Sequence, residues 1–214
     1  MQLATRLGNK MTIKTDHPAP KCNEFAYWLG QLVLKITGWR VEGNVPDNKN
    51  MIIIGAPHTS NWDVLFLLSA AYSFRLSIHW LVKDTWFVPG IGSILAFLGA
   101  VPVDRSRATF TVTRLAERIK NSDGLPLVVP PAGTRSYTKY WKSGFYRIAQ
   151  EADVPVVCGF LDYSNKVAGL GLSFYLSGNV IEDMDRIREF YEPLAGKYPE
   201  KKSRILLKEE GKAG

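Results

Sequence analysis

From residue 51 onward, short apolar runs alternate with segments whose apolar residues recur at helical spacing, and this alternation constrains the fold more than any other feature. Residues 51–56, 77–82, 101–103, 125–129, 154–161 and 173–176 read as strands. Residues 61–74, 91–98, 109–121 and 143–152 read as helices, and Ile187, Phe190, Tyr191 and Leu194 mark one more. Such alternation predicts right-handed crossovers and a largely parallel or mixed sheet with helices on both faces. Buried parallel strands should be apolar throughout, as residues 51–54 and 125–129 are. The expectation is a single α/β domain with an N-terminal amphipathic helix. In open α/β sheets ligands bind beyond the carboxyl ends of the strands, so the loops after each predicted strand hold the candidate chemistry.

A chain of 214 residues suits one domain. Apolar residues at 46% and charged residues at 22% exclude wholesale disorder, collagen and a disulfide scaffold. Two isolated cysteines, Cys22 and Cys158, fit a reducing compartment, and no Cys/His spacing suggests a structural zinc site. The net charge is +7; residues 1–180 carry 19 Lys and Arg against 12 Asp and Glu, whereas residues 181–214 carry 8 of each. The excess on the main body favours an anionic partner: a phosphate-bearing metabolite, an acidic carrier protein, an anionic lipid surface or a nucleic acid. Nucleic acid is disfavoured, because the aromatics are not interleaved with Lys and Arg as a stacking platform requires. The expected organisation is a loose arm over 1–20, a body over 21–199 and a charged tail over 200–214.

Within the body, residues 21–38 are the membrane candidate. Phe25, Trp28, Leu29, Leu32, Val33 and Ile36 fall on one helical face, flanked by Lys21, Lys35 and Arg40 as an interfacial helix requires. A stripe packed on the core is the alternative, since most amphipathic helices are buried that way. No segment of the roughly 18–20 residues that a bilayer crossing needs is apolar and uncharged throughout, and no signal peptide is evident. The expected location is cytoplasmic, attached peripherally to the cytoplasmic face of a membrane.

The loop after the first buried strand reads Pro57-His58-Thr59-Ser60-Asn61-Trp62-Asp63, a His-x4-Asp pair. With His58 in the loop and Asp63 in the first helical turn, the carboxylate can fold back onto one ring nitrogen and leave the other free as a base. That arrangement suits removal of a proton from an alcohol attacking a carbonyl. The plain alternative is a loop histidine followed by an acid that merely suits a helix start. His79 and Asp84 share the spacing but span a strand end, where an odd separation puts side chains on opposite faces, so they read as a decoy. Arg105 and Arg135 each follow a predicted strand, and two guanidiniums with the amides of the Gly133 turn would make a phosphate site. Taken singly, each arginine reads as a surface ion-pair partner. A serine hydrolase is disfavoured because no Gly-x-Ser-x-Gly turn exists, and Cys158, inside a strand, reads as core.

Over residues 51–162 the chain resembles the glycerolipid acyltransferases, typified by the 1-acyl-sn-glycerol-3-phosphate acyltransferases. Four blocks carry the resemblance in order: His58 to Asp63, Gly99 to Arg105, Gly133-Thr134-Arg135-Ser136, and the apolar 154–157, with Lys83, Pro89 and Gly90 leading into the second. The resemblance implies an O-acyltransferase in phospholipid biosynthesis, with His58 as general base and Asp63 orienting it. Arg105 and Arg135, supported by Lys83, Gly133 and Thr134, would hold the acceptor phosphate. The donor would be acyl-CoA or acyl carrier protein, the acceptor a lysophospholipid, and no metal or cofactor would be needed. Family members usually carry Glu where this chain has Ala132, and Pro57 and Thr59 also depart from the usual residues around the histidine. The Ala132 departure leaves two alternatives: an acyltransferase with a non-glycerophosphate acceptor, or a weakened or inactive lipid-binding protein of the same fold.

Overall fold

The computed structural model describes residues 22–104 and 108–212, with the side chains of 108, 109 and 212 excepted. The arm expected over 1–20 lies outside the described residues. Among the described residues, seven strands form one sheet in the order β1-β7-β6-β2-β5-β3-β4. They are β1 (Arg40–Glu42), β2 (Met51–Ala56), β3 (His79–Lys83), β4 (Ala100–Val103), β5 (Pro126–Val129), β6 (Val156–Asp162) and β7 (Val167–Phe174). The helices are α1 (Glu24–Thr37), α2 (Trp62–Ser73), α3 (Ile91–Phe97), α4 (Ala108–Lys120), α5 (Gly144–Ala152) and α6 (Val180–Tyr191). All neighbouring strands run parallel except β6 and β7, an antiparallel pair. The expected α/β domain with a mixed sheet is therefore what forms.

Two expectations about the strands need correcting. The last strand, placed at 173–176, runs over Val167–Phe174, and the three-residue β1 has no counterpart in the sequence reading. β1 is three residues long with two exposed charged side chains, too short to show a period, whereas β7 is obscured by glycine, which weakens a strand signal although it also marks places where backbones come close. A Cβ at Gly169 would lie 2.1 Å from the Glu42 carbonyl of β1, and one at Gly171 would lie 2.2 Å from the Phe190 ring. The glycines thus belong to the strand because β1 and α6 pack directly on them.

Helices cover both faces. On one side α4, α5 and α6 bury Leu115, Ile119, Phe145, Ile148, Met184 and Ile187 against the outward residues of β2, β5 and β6. On the other side Leu68 and Ala71 of α2, with the half-buried Leu95 of α3, cover Ile53, Trp80, Val128 and Val157. Helix α1 lies against α2, with Gly30 so close to Ser69 that an added Cβ would be 2.8 Å from its carbonyl oxygen. Cys158 is fully buried in β6, and burial pushes its thiol pKa up to about 12, which fits the core role expected of it.

The residues after 199 are as charged as expected, yet they are anchored. Ile205 and Leu207 enter the core, Trp141 bridges to Leu207, and the Lys202 ammonium donates to the carbonyls of Tyr191, Glu192 and Leu194 where α6 ends. Glu210, largely buried, pairs with Arg188 and accepts the Leu207 amide, so both apolar and charged residues fix the segment to the body.

The order of the strands decides where a site forms. From β2 the chain crosses past β5 to reach β3, and from β5 it crosses back past β2 to reach β6. The crossovers leave in opposite directions from neighbouring strands, which opens a crevice at the carboxyl ends of β2 and β5. Ile54 of β2 pairs with Val129 of β5, so the two strands end nearly level. His58 follows one and Gly133 to Arg135 follow the other.

Candidate active site

After β2 a cis Ala56–Pro57 bond leads to His58. Ser60 then accepts the Trp62 amide on its hydroxyl, and α2 begins. Asp63, on the first turn of α2, is 4% exposed and folds back over the loop. Its Oδ2 lies 2.9 Å from His58 Nδ1 and accepts the amides of Thr59 and Ser60 at 2.9 Å each. Its Oδ1 accepts the hydroxyl of Tyr163 at 2.7 Å. The acid therefore does both things considered for it: it organises the turn at the helix start and it holds the imidazole. Burial by itself raises the pKa of Asp63, but hydrogen bonds from His58, the Ser60 amide and Tyr163 outweigh it and hold the carboxyl below its ordinary value. With an ionised carboxylate as partner, Nδ1 carries the ring proton and Nε2 remains to act.

Tyr163 is a residue the sequence reading missed. It sits in the turn between β6 and β7, 100 positions from Asp63, and packs edge-on against Trp39 at 4.8 Å and Phe66 at 5.8 Å between ring centroids. No short-range spacing connects it to the His-x4-Asp motif; the Asp-Tyr pair at the end of a predicted strand is the sole trace in the sequence. Burial, then the hydrogen bond to Asp63, pushes the phenol pKa well above its ordinary value, so the hydroxyl stays a donor.

His58 and Asp63 line a cavity of about 350 Å³ between α2 and the sheet. Lys83, Trp86, Gly133, Thr134, Arg135 and Ser136 line it too. From this charged end the lining becomes apolar, through Val64, Leu67, Ala70 and Ala71 on α2 to Phe74, Leu76 and Ile78. On the sheet side Gly55, Gly159 and Gly169 line it, and a Cβ at Gly159 or Gly169 would meet a neighbouring strand, 2.6 Å from Ile53 or 2.1 Å from the Glu42 carbonyl. From Asp63 to Phe74 the helix rise gives the cavity a length of about 16 Å.

Six of the seven candidate residues, His58, Asp63, Lys83, Gly133, Thr134 and Arg135, thus meet at one cavity. Arg105 lies outside the described residues. The decoy pair stays apart: His79 opens β3, buried, and Asp84 follows its far end. Gly133 has φ +65°, a conformation glycine adopts without strain, and the Lys142 side chain lies over it, 3.1 Å from where a Cβ would stand. Ala132 is buried beside a void of about 10 Å³, lined also by His58, Trp141, Lys202 and Ser203, room for about one water and not for a carboxylate side chain. Among the described residues no helix is long and apolar enough to cross a membrane. On α1 the apolar stripe faces away from the body: Phe25 is 75% and Ile36 74% exposed, and Val33 alone of the six is half-buried.

This geometry can be set beside known proteins. The structure is similar to that of PlsC from Thermotoga maritima, a 1-acyl-sn-glycerophosphate acyltransferase, with a TM-score of 0.55 over 79% of this chain and 74% of that one. At 20% identity the similarity concerns the fold. The sequence matches no curated protein. The sequence pattern of the acyltransferase family matches residues 38–159, from the end of α1 to the middle of β6, and so takes in His58, Asp63, Lys83 and the turn at Gly133. With more than half of its length matched, the chain belongs to the acyltransferase family.

Proposed function

We propose that this acyltransferase moves a fatty acyl group from acyl-CoA or acyl carrier protein to the hydroxyl of a lysophospholipid, working from the cytoplasmic face of a membrane. One observation carries the reading: a histidine held by a buried carboxylate lines the charged end of a cavity whose other end is apolar. His58 takes the proton of the acceptor hydroxyl as its oxygen attacks the thioester carbonyl. The tetrahedral species collapses, the carbon–sulfur bond breaks, and the imidazolium returns the proton to the departing thiolate. No covalent enzyme intermediate forms, and a thioester is reactive enough that neither metal nor cofactor is needed. The apolar part of the cavity would take the fatty chain, which 350 Å³ accommodates.

Oxyanion stabilisation is assigned to the facing loop. At the start of α2 the Thr59 and Ser60 amides already donate to Asp63 and the Trp62 amide to Ser60. Across the cavity the Gly133 amide donates to the Pro130 carbonyl, so the turn offers the Thr134 and Arg135 amides and a guanidinium instead, and Arg135 with Lys83 would hold the acceptor phosphate. Arg105 is proposed as a further phosphate ligand from the family resemblance alone.

Replacing His58 with Ala, assayed with labelled acyl-CoA and a panel of lyso-lipids, should lower transfer roughly a thousandfold in a protein that stays folded and loses only the stability of one hydrogen bond to Asp63. Transfer at the wild-type rate would refute the role given to His58. Arg135→Ala should mainly raise the acceptor KM.

A second reading concerns the acceptor. Ala132 has no hydrogen-bonding side chain, and the void beside it would not admit one. The missing hydrogen-bonding side chain favours a non-glycerophosphate acceptor, which the same panel would identify. Failure of every acceptor and donor would leave the lipid-binding alternative.

A further inference from the structure

Helix α3 is amphipathic in the wrong sense for a soluble protein. Its inner side is made by Gly92, Leu95 and the following Leu98, with Gly92 so tightly placed that an added Cβ would be 3.0 Å from the Phe87 Cα. Its outer side carries Ile94, 62% exposed, and Phe97, 76% exposed, beside the exposed Ile91. The preceding turn exposes Trp86, which also lines the cavity next to Lys83. Between Asp84 and Asp104 no residue is charged.

The segment shares a layer with the apolar stripe of α1. Leu95 and Phe87 pack in the same cluster as Leu68 and Ala71 of α2, and α1 lies against α2. Two exposed apolar surfaces therefore sit on one side of the sheet, with the cavity beneath the helix that they share. We propose that the segment from Trp86 to Phe97 is a second membrane contact, inserted in the same leaflet as α1, and that it sets the charged mouth of the cavity against the lipid headgroups. The acceptor then reaches His58 sideways from the leaflet, with Lys83 and Arg135 at headgroup depth. Other occupants fit less well. An acidic carrier protein finds no cation on α3 to pair with, and a seven-residue helix, about 10 Å long, presents far less than the roughly 800 Å² per partner of a stable dimer.

The inference rests on the reading that the acceptor is a membrane amphiphile, and its test keeps the two apart. Amide exchange of the whole protein with vesicles of phosphatidylcholine and phosphatidylglycerol should slow at residues 24–37 and again at 86–98. Slowing at 24–37 alone overturns the proposal, whatever the enzyme does. Slowing at 86–98 that depends on protein concentration without vesicles assigns the surface to a second copy and overturns it too. The double variant Ile94→Glu and Phe97→Glu, with a melting curve matching wild type, should lose roughly tenfold in transfer to an acceptor embedded in vesicles. Its transfer to a short-chain acceptor below its micellar concentration should be unchanged. Equal loss on both acceptors, or loss on neither, refutes the docking role. Full activity of His58→Ala would instead refute the catalytic reading and leave the exchange result standing.

Discussion

Among the described residues three aspartates are buried, and two of them, Asp63 and Asp183, lie on opposite sides of the sheet and each accept a tyrosine hydroxyl at 2.7 Å. Asp183, on α6, is bound by Tyr146 and by the Ser177 amide at 3.0 and 3.1 Å from its two oxygens. It has no contact with solvent and ties the end of β7 to α5 and α6. Asp63, on α2, is satisfied just as fully, but one of its partners is a histidine that lines a cavity. A buried, hydrogen-bonded carboxylate is therefore not a functional signal in this molecule. What separates the two is whether the acid holds a group that can exchange protons with something arriving from outside.

Exchanging the acids for amides breaks this comparison most sharply. Asp63→Asn should lower kcat roughly a thousandfold, because an amide neither fixes the imidazole tautomer nor stabilises imidazolium. Asp183→Asn should leave kcat within about twofold and lower stability by about 1–3 kcal/mol, read by chemical denaturation. Next in size is a pair of aromatic truncations. Phe145→Ala, fully buried beneath α5, should cost about 3–5 kcal/mol, whereas Phe97→Ala on the exposed side of α3 should stay within about 0.5 kcal/mol. Both are read from denaturation midpoints in the absence of lipid.

The tyrosines sharpen it further. Tyr146→Phe and Tyr163→Phe should each cost about 1–2 kcal/mol, since each leaves a buried carboxylate oxygen short of a donor. Only Tyr163→Phe should also lower kcat, by about tenfold with KM unchanged, because its partner orients the base. The smallest expected effect is in the pH dependence of stability. Asp63 is held below the ordinary value of 3.8, so its ionised form adds stability that is present above that pH and lost as pH falls through the folded value. The difference in denaturation midpoint between wild type and Asp63→Asn should therefore be largest at neutral pH and shrink as the pH is lowered below 3.8.

Short-range patterns made much of this legible. The strands of the centre of the sheet and the helices between them follow from hydrophobic period, since a buried parallel strand has no polar face to confuse the pattern. His58 and the Gly133–Arg135 turn are legible because they lie in loops directly after such strands, and Asp63 because it opens the helix that follows the first of them. Harder to see were β1 and most of β7, where Gly169 and Gly171 hide a strand whose neighbours press on its backbone. Amphipathicity also left open which way α1 faced, because an apolar stripe looks the same whether it covers a core or awaits a bilayer.

The sequence by itself determined the alternation of elements, the placing of a histidine and an acid at one strand end, and the family resemblance that those blocks carry. All are local properties, set by periodicity and spacing along a few residues. Only the tertiary structure decided that Tyr163 reaches Asp63 across 100 positions, that Ile205 and Leu207 hold the charged end of the chain to the core, and that α1 and α3 leave their apolar sides uncovered on one face. Those outcomes depend on which surfaces meet when the sheet closes, and packing between distant segments leaves no period for the sequence to display.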